Sequence, residues 1–206
     1  MMLKKLLKHF KKSILLKIVS LNSLVTGFRL VIAIVIQKLL AELVGASGIA
    51  KIGQLRNLMV ILTSTSSLGV FNGVVKYTSE LKKEEELLAK FFSTTFIFSI
   101  LGTIISTIIL FIFSNWISIQ LFGSDTFEFI IIIAAFVVPA ISLNRIFSGV
   151  VNGLSAYKQY AKIELIAYLT SSVLLLYGLF NYNINGVLIA IAIAPIVQLL
   201  VLLFVF

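Results

Sequence analysis

Two arginines stand inside long apolar stretches, where an ionised side chain is unusual. They are Arg29 and Arg56, and each is followed by further apolar residues. A charge held at the middle of a bilayer costs at least about 2.5 kcal/mol, so such residues face a polar cavity or a partner. We therefore expect both arginines to face such a cavity, with snorkelling to the interface as the alternative.

The stretch after Arg56 is polar for a membrane helix. It carries five consecutive hydroxyl residues, from Thr63 to Ser67. At 100° per residue, Arg56, Thr63 and Ser67 fall within about 20° of one line along the helix. The pattern predicts that this line faces a wet cavity. The alternative is that the hydroxyls bond carbonyls of their own or a neighbouring helix.

Three more polar residues lie near the same end of their helices: Asn72, Lys76 and Arg145. Interfacial anchoring explains each of them, and contact with a phosphate-bearing head group is the sharper hypothesis. Lys38 and Glu42 are four residues apart, which favours a local ion pair.

The sequence has no constellation of catalytic residues. It has no cysteine and a single histidine, His9, so thiolate chemistry and a transition-metal site are not expected. There is no phosphate-cradling glycine loop and no Ser–His–Asp set. We predict a protein without cofactor or metal that is not an enzyme.

Composition indicates the solvent in which these residues must be positioned. The chain is 60% hydrophobic and only 12% charged, against about 25% charged in soluble domains. The net charge of +9 is clustered between apolar runs, which favours a membrane protein over a nucleic-acid-binding one. The predicted fold class is therefore an all-α integral membrane protein.

The charge-free runs predict about six transmembrane helices in one bundle. A span needs about 20 residues, and the 42 residues after Glu164 fit two spans that turn at Asn181–Gly186. A basic segment, 1–13, precedes a bundle over 14–206. A membrane barrel would instead show short alternating segments. The predicted spans are 14–42, 50–77, 88–114, 127–153, 160–180 and 184–206.

The basic residues predict the orientation. Thirteen of the 17 Lys and Arg fall in or beside the N-terminal segment and the loops after the second and fourth spans, and one, Lys51, falls on the opposite side. Basic loops stay in the cytoplasm. We therefore expect a multi-pass protein of a bacterial inner membrane with a cytoplasmic N-terminus.

Two segments carry a resemblance to a known family. The stretch from Gly45 to Leu58 includes Gly-Gln-Leu-Arg56, and Gly69-Val-Phe-Asn-Gly-Val-Val-Lys-Tyr77 follows it. Together they resemble the bacterial polysaccharide-precursor flippases, in particular the O-antigen translocases and the lipid III flippase of enterobacterial common antigen. These belong to the multidrug/oligosaccharidyl-lipid/polysaccharide exporter superfamily.

The resemblance implies two six-helix bundles around a central cavity, of which this chain supplies the first. The second would come from a longer chain or a homodimer partner. It implies transport of undecaprenyl-pyrophosphate-linked oligosaccharide across the inner membrane, for O-antigen or lipopolysaccharide biosynthesis.

The family's functional positions map onto four residues: Arg56, Asn72 and Lys76, with Arg29 less directly. Asn152 departs from the pattern, because relatives can carry a basic residue there.

Two other functions are compatible with a polytopic membrane protein. A drug or cation antiporter of the same superfamily would favour a membrane-embedded carboxylate, and the first span has none deep inside it. A membrane-bound polysaccharide polymerase or glycosyltransferase would need catalytic residues in a sizeable loop, and the predicted loops are short.

Overall fold

The computed structural model describes the backbone of residues 2–205 and the side chains of Ser23 and of residues 25–205. Within that part the chain is helical and contains no strand, as predicted. The helices are α1 (Met2–Ser66), α2 (Phe71–Leu81), α3 (Glu85–Ile112), α4 (Ser114–Phe122), α5 (Glu128–Gly153) and α6 (Tyr157–Val205), with a 3₁₀ turn at Asp125–Phe127.

Four of the described helices are long and apolar enough to cross a membrane. They are Val25–Ser66 in α1, α3, α5 with its preceding 3₁₀ turn, and α6. The stretches in α1 and α6 have 42 and 49 residues. At 1.5 Å per residue each is about twice the length that the hydrocarbon layer requires.

Helix α1 folds back on itself at Gly45. The backbone there has φ 68° and ψ −174°, which divides α1 into a first arm (2–44) and a second arm (46–66). Ile36 and Arg56 border the same cavity, although 20 residues of straight helix would separate them by about 30 Å. Glycine suits this turn because a positive φ costs it little.

Helix α6 folds back at Asn183, inside the predicted turn Asn181–Gly186. Its φ of 49° and ψ of −135° divide α6 into a first arm (157–182) and a second arm (184–205). A Cβ atom at Gly178 would lie 2.5 Å from the Gly186 carbonyl oxygen, so the two arms touch backbone to backbone.

The predicted second span, 50–77, is divided where a continuous helix was expected. Helix α1 ends at Ser66, Leu68 and Gly69 have positive φ values of 45° and 71°, and α2 begins at Phe71. Neighbouring helices stabilise this end: Ser142 and Thr103 donate to the Ser66 carbonyl at 3.3 and 3.5 Å. Broken backbone is tolerated in a membrane when protein groups satisfy it in this way.

Two further boundaries differ from the predicted ones. Helix α1 begins at Met2, so residues 2–13 of the basic segment belong to the first arm of α1. The third span ends at Ile112, but a separate short helix, α4, follows it. The predicted span 127–153 agrees with α5 to within one residue.

Helix α5 is the centre of the bundle. Half of its most apolar stretch is buried, more than in any other described span. Its buried residues include Ile130, Ile131, Val138 and Ile146. Helix α3 leaves a run of isoleucines exposed, from Ile97 to Ile112, which suits contact with lipid.

The turns collect at two opposite ends of the bundle. The turns of α1 and α6 meet in one small pocket bordered by Val44, Gly48, Lys51 and Asn183. The Lys51 ammonium lies 4.4 Å from the Phe127 ring centre, which places the start of α5 at that end. At the other end the Tyr77 and Phe91 rings are 4.8 Å apart. The helical segments therefore run alternately up and down.

Candidate anion site

A cavity of about 340 Å³ lies between both arms of α1 and both arms of α6. Arg56 is the single charged residue that borders it among the described residues. Apolar side chains form most of the wall, and four other polar residues complete it: Gln37, Tyr168, Ser171 and Ser172. We call this space the Arg56 cavity.

The Arg56 guanidinium is available to a ligand. No ion pair or hydrogen bond between described residues involves it. Its side chain is exposed, although it stands in the middle of the second arm of α1. A cation in this position, with hydroxyls on the facing helix, suits an anion better than a cation or an apolar ligand.

Arg29 has a partner that the sequence did not predict. Its Nη1 donates to Glu164 Oε2 at 3.1 Å, and the side chains are 36% and 22% exposed. Gln198 donates to the other carboxylate oxygen of Glu164 at 3.0 Å. This bridge joins the first arm of α1 to both arms of α6.

Tyr168 connects the Arg29–Glu164 pair to the Arg56 cavity. The Arg29 guanidinium carbon lies 4.7 Å from the centre of the Tyr168 ring, and the Tyr168 hydroxyl donates to the Arg29 carbonyl at 3.1 Å. The same tyrosine borders the cavity, as does Ala33, one helical turn after Arg29. Arg29 is therefore separated from the cavity by a single side chain.

The predicted hydroxyl residues do not border this cavity. Thr63 donates to the Met59 carbonyl at 2.7 Å, and Ser67 donates to the Thr63 carbonyl at 2.9 Å. Thr63 is half-buried and Ser67 is buried. The run instead marks where α1 ends, and its hydroxyls bond the preceding turn.

The remaining three predicted residues lie on two other helices, with Asn72 and Lys76 on α2 and Arg145 on α5. The Arg145 guanidinium carbon lies 4.3 Å from the Phe71 ring centre, and its buried Nε has no hydrogen-bond partner among the described residues. Asn72 and Lys76 are exposed on α2, and the Lys76 ammonium lies 5.2 Å from the Tyr77 ring centre. None of these three residues borders the Arg56 cavity.

Glu164 is the residue that the sequence analysis missed. It follows Lys158 and Lys162 closely, at the start of a long charge-free run. A signal was present, since Tyr160, Glu164 and Tyr168 recur every four residues on one helix face. An acid between two tyrosines on one helix face indicates a polar contact inside the bundle.

Lys38 and Glu42 form the expected local ion pair, with 3.9 Å between the ammonium nitrogen and the nearer carboxylate oxygen. Both side chains are largely exposed, at 77% and 60%. Exposed pairs of this kind contribute little to stability.

Comparison of the chain with protein-family models, with curated proteins and with solved structures gives no match.

Proposed function

We propose that this protein is a flippase for undecaprenyl-pyrophosphate-linked oligosaccharide in the bacterial inner membrane. The observation that carries the proposal is the Arg56 cavity, a space between apolar helices with one available guanidinium. A guanidinium binds phosphate, as it binds carboxylate, through two parallel charge-assisted hydrogen bonds. The lipid tail would stay in the bilayer while the head group enters the bundle.

The mechanism that fits this arrangement is alternating access. The cavity would open to the cytoplasm, accept the head group, close and open to the periplasm, with no bond broken in the ligand. The breaks at Gly45 and Asn183 divide α1 and α6 into arms. Hinges of this kind let rigid helical segments move relative to one another.

The proposal includes a second bundle, because the cavity alone is too small for the whole ligand. Its volume of about 340 Å³ lies near the lower limit of ligand sites, roughly 300–1,000 Å³. A pyrophosphate fits such a space and a whole oligosaccharide does not. The second wall would come from a second six-helix bundle, in a longer chain or in a homodimer partner. With the basic loops in the cytoplasm, the six spans would be the two arms of α1, then α3 and α5, and then the two arms of α6.

The proposal predicts that Arg56→Ala abolishes transport. In the host, surface polysaccharide should be lost while the protein remains in the membrane, because the variant removes a ligand contact and breaks no ion pair or hydrogen bond between described residues. Lys38→Ala is the matched control, since it removes a cation from the same helix but away from the cavity. Normal polysaccharide in the Arg56→Ala strain would contradict the proposal.

A cation antiporter is the second candidate, because Glu164 supplies a carboxylate inside the bundle. Against it, a fixed cation already neutralises that carboxylate at 3.1 Å. An antiporter would retain its activity in Arg56→Ala, which separates the two functions.

A further inference from the structure

The anion site that we propose has less positive charge than its ligand has negative charge. A pyrophosphate head group carries at least two negative charges, and Arg56 supplies one positive charge. No other Lys or Arg among the described residues borders the cavity. In a low-dielectric site the remaining charge of the ligand needs a second cation.

Arg29 is the cation placed to supply it. It stands behind Tyr168, which borders the cavity, and it is one turn from Ala33, which does so too. Among the described residues, one of the five N–H donors of its guanidinium bonds Glu164. The other donors remain for a ligand, but the adjacent carboxylate cancels the charge that would attract one.

We propose that Glu164 is a resting counter-ion that competes with the ligand for Arg29 and so makes the site selective for diphosphate over monophosphate head groups. This inference rests on the proposed anion site. A monophosphate has a single phosphate group, which cannot engage Arg56 and also displace from Arg29 a carboxylate bonded at 3.1 Å. A diphosphate engages Arg56 with one phosphate and replaces Glu164 at Arg29 with the other. The released carboxylate keeps the Gln198 amide, which already donates to it.

A positioning role and a competing role for Glu164 predict opposite effects on ligand binding when the carboxylate is removed. If the carboxylate held Arg29 in place for the ligand, neutralising it would weaken binding. If the carboxylate competes, neutralising it strengthens binding, because charge pairs in low-dielectric contacts contribute a factor of roughly ten or more to affinity.

The test uses the full-length protein, purified in detergent. It measures the binding of farnesyl diphosphate and of farnesyl monophosphate. The wild type should prefer the diphosphate. Glu164→Gln, which keeps the shape and an acceptor oxygen for the Gln198 amide, should bind both roughly tenfold more tightly or better, with the larger gain for the monophosphate. In Arg29→Gln/Glu164→Gln this gain should vanish. The matched control is Glu42→Gln, which removes a carboxylate from an exposed ion pair and should leave both affinities unchanged.

The outcomes separate this inference from the proposed function. Unchanged or weaker binding in Glu164→Gln, while Arg56→Gln loses the diphosphate, overturns the counter-ion role alone. Wild-type binding in Arg56→Gln, or no binding of either ligand by any variant, overturns the anion site as well. Should Glu164→Gln fail to fold, Glu164→Asp withdraws the carboxylate by one methylene and should also strengthen binding; unchanged or weaker binding by it overturns the inference.

Discussion

Individual polar side chains in this bundle form hydrogen bonds where a helix is interrupted. The Ser66 carbonyl has lost its helical partner because α1 ends there, and Ser142 on α5 donates to it at 3.3 Å. Ser106 donates to the neighbouring Thr65 hydroxyl at 3.2 Å. In hydrocarbon an unsatisfied carbonyl costs more than the bond itself contributes. These serines are therefore structural.

Replacing Ser142 should destabilise the bundle and spare the ligand site. Ser142→Ala removes a buried donor, and we expect a loss of about 1 kcal/mol, in the range measured for hydrogen bonds between membrane helices. Thermal unfolding in detergent measures it. Ser93→Ala is the matched control, since Ser93 is exposed and bonds only the Ala89 carbonyl of its own helix. Equal melting temperatures for the two variants would contradict this role for Ser142.

At the scale of elements, glycines set how closely helices approach. A Cβ at Gly102 would lie 2.7 Å from the Thr65 carbonyl oxygen, where α3 crosses the end of α1. Gly149 and Gly153 bring α5 equally close to Val74 and Thr78 of α2. Small residues at such crossings are how membrane helices pack without a hydrophobic driving force.

The glycine pair of α6 gives a direct test of the hairpin. Gly186→Ala should lower the melting temperature, because its Cβ would overlap the backbone at Gly178 and push the two arms of α6 apart. The matched control is Gly53→Ala, where the new Cβ meets nothing within 4 Å. There the higher helix propensity of alanine, about 1 kcal/mol, should leave stability unchanged or raise it. A Gly186→Ala protein as stable as the wild type would refute the close approach.

The sequence predicted turns where local chemistry specifies them. Gly45 and Asn183 stand in predicted connections because glycine and asparagine tolerate the left-handed region. The break after Ser66 was not predicted, since hydroxyl residues and Leu68 are compatible with a helix. That break depends on Gly102, Thr103 and Ser142, which approach from distant parts of the chain. The Arg29–Glu164 pair spans 135 residues and was missed for the same reason.

At the scale of the whole molecule, the turns lie at two ends of the bundle, and the basic residues are divided unequally between these ends. Lys51 lies at the end where α1 and α6 turn, while Lys76 and Lys90 lie beside the opposite end, near the contact of Tyr77 with Phe91. Basic loops remain in the cytoplasm. The Gly45 and Asn183 turns should therefore face the periplasm, and the turn between α5 and α6 should face the cytoplasm.

Cysteine labelling can test this orientation cleanly, because the chain has no cysteine of its own. Ser47 and Asn181 lie exposed beside the turns at Gly45 and Asn183, and Ser79 and Ser155 lie exposed at the opposite end, so each can be replaced by cysteine. A membrane-impermeant maleimide added to intact spheroplasts should label the first pair only, and permeabilised cells should show all four labelled. The reverse pattern would invert the orientation. Labelling of only one member of either pair in intact spheroplasts would mean that α1 or α6 does not cross the bilayer twice. In that case the Arg56 cavity, which lies between the arms of these helices, would not lie within the membrane.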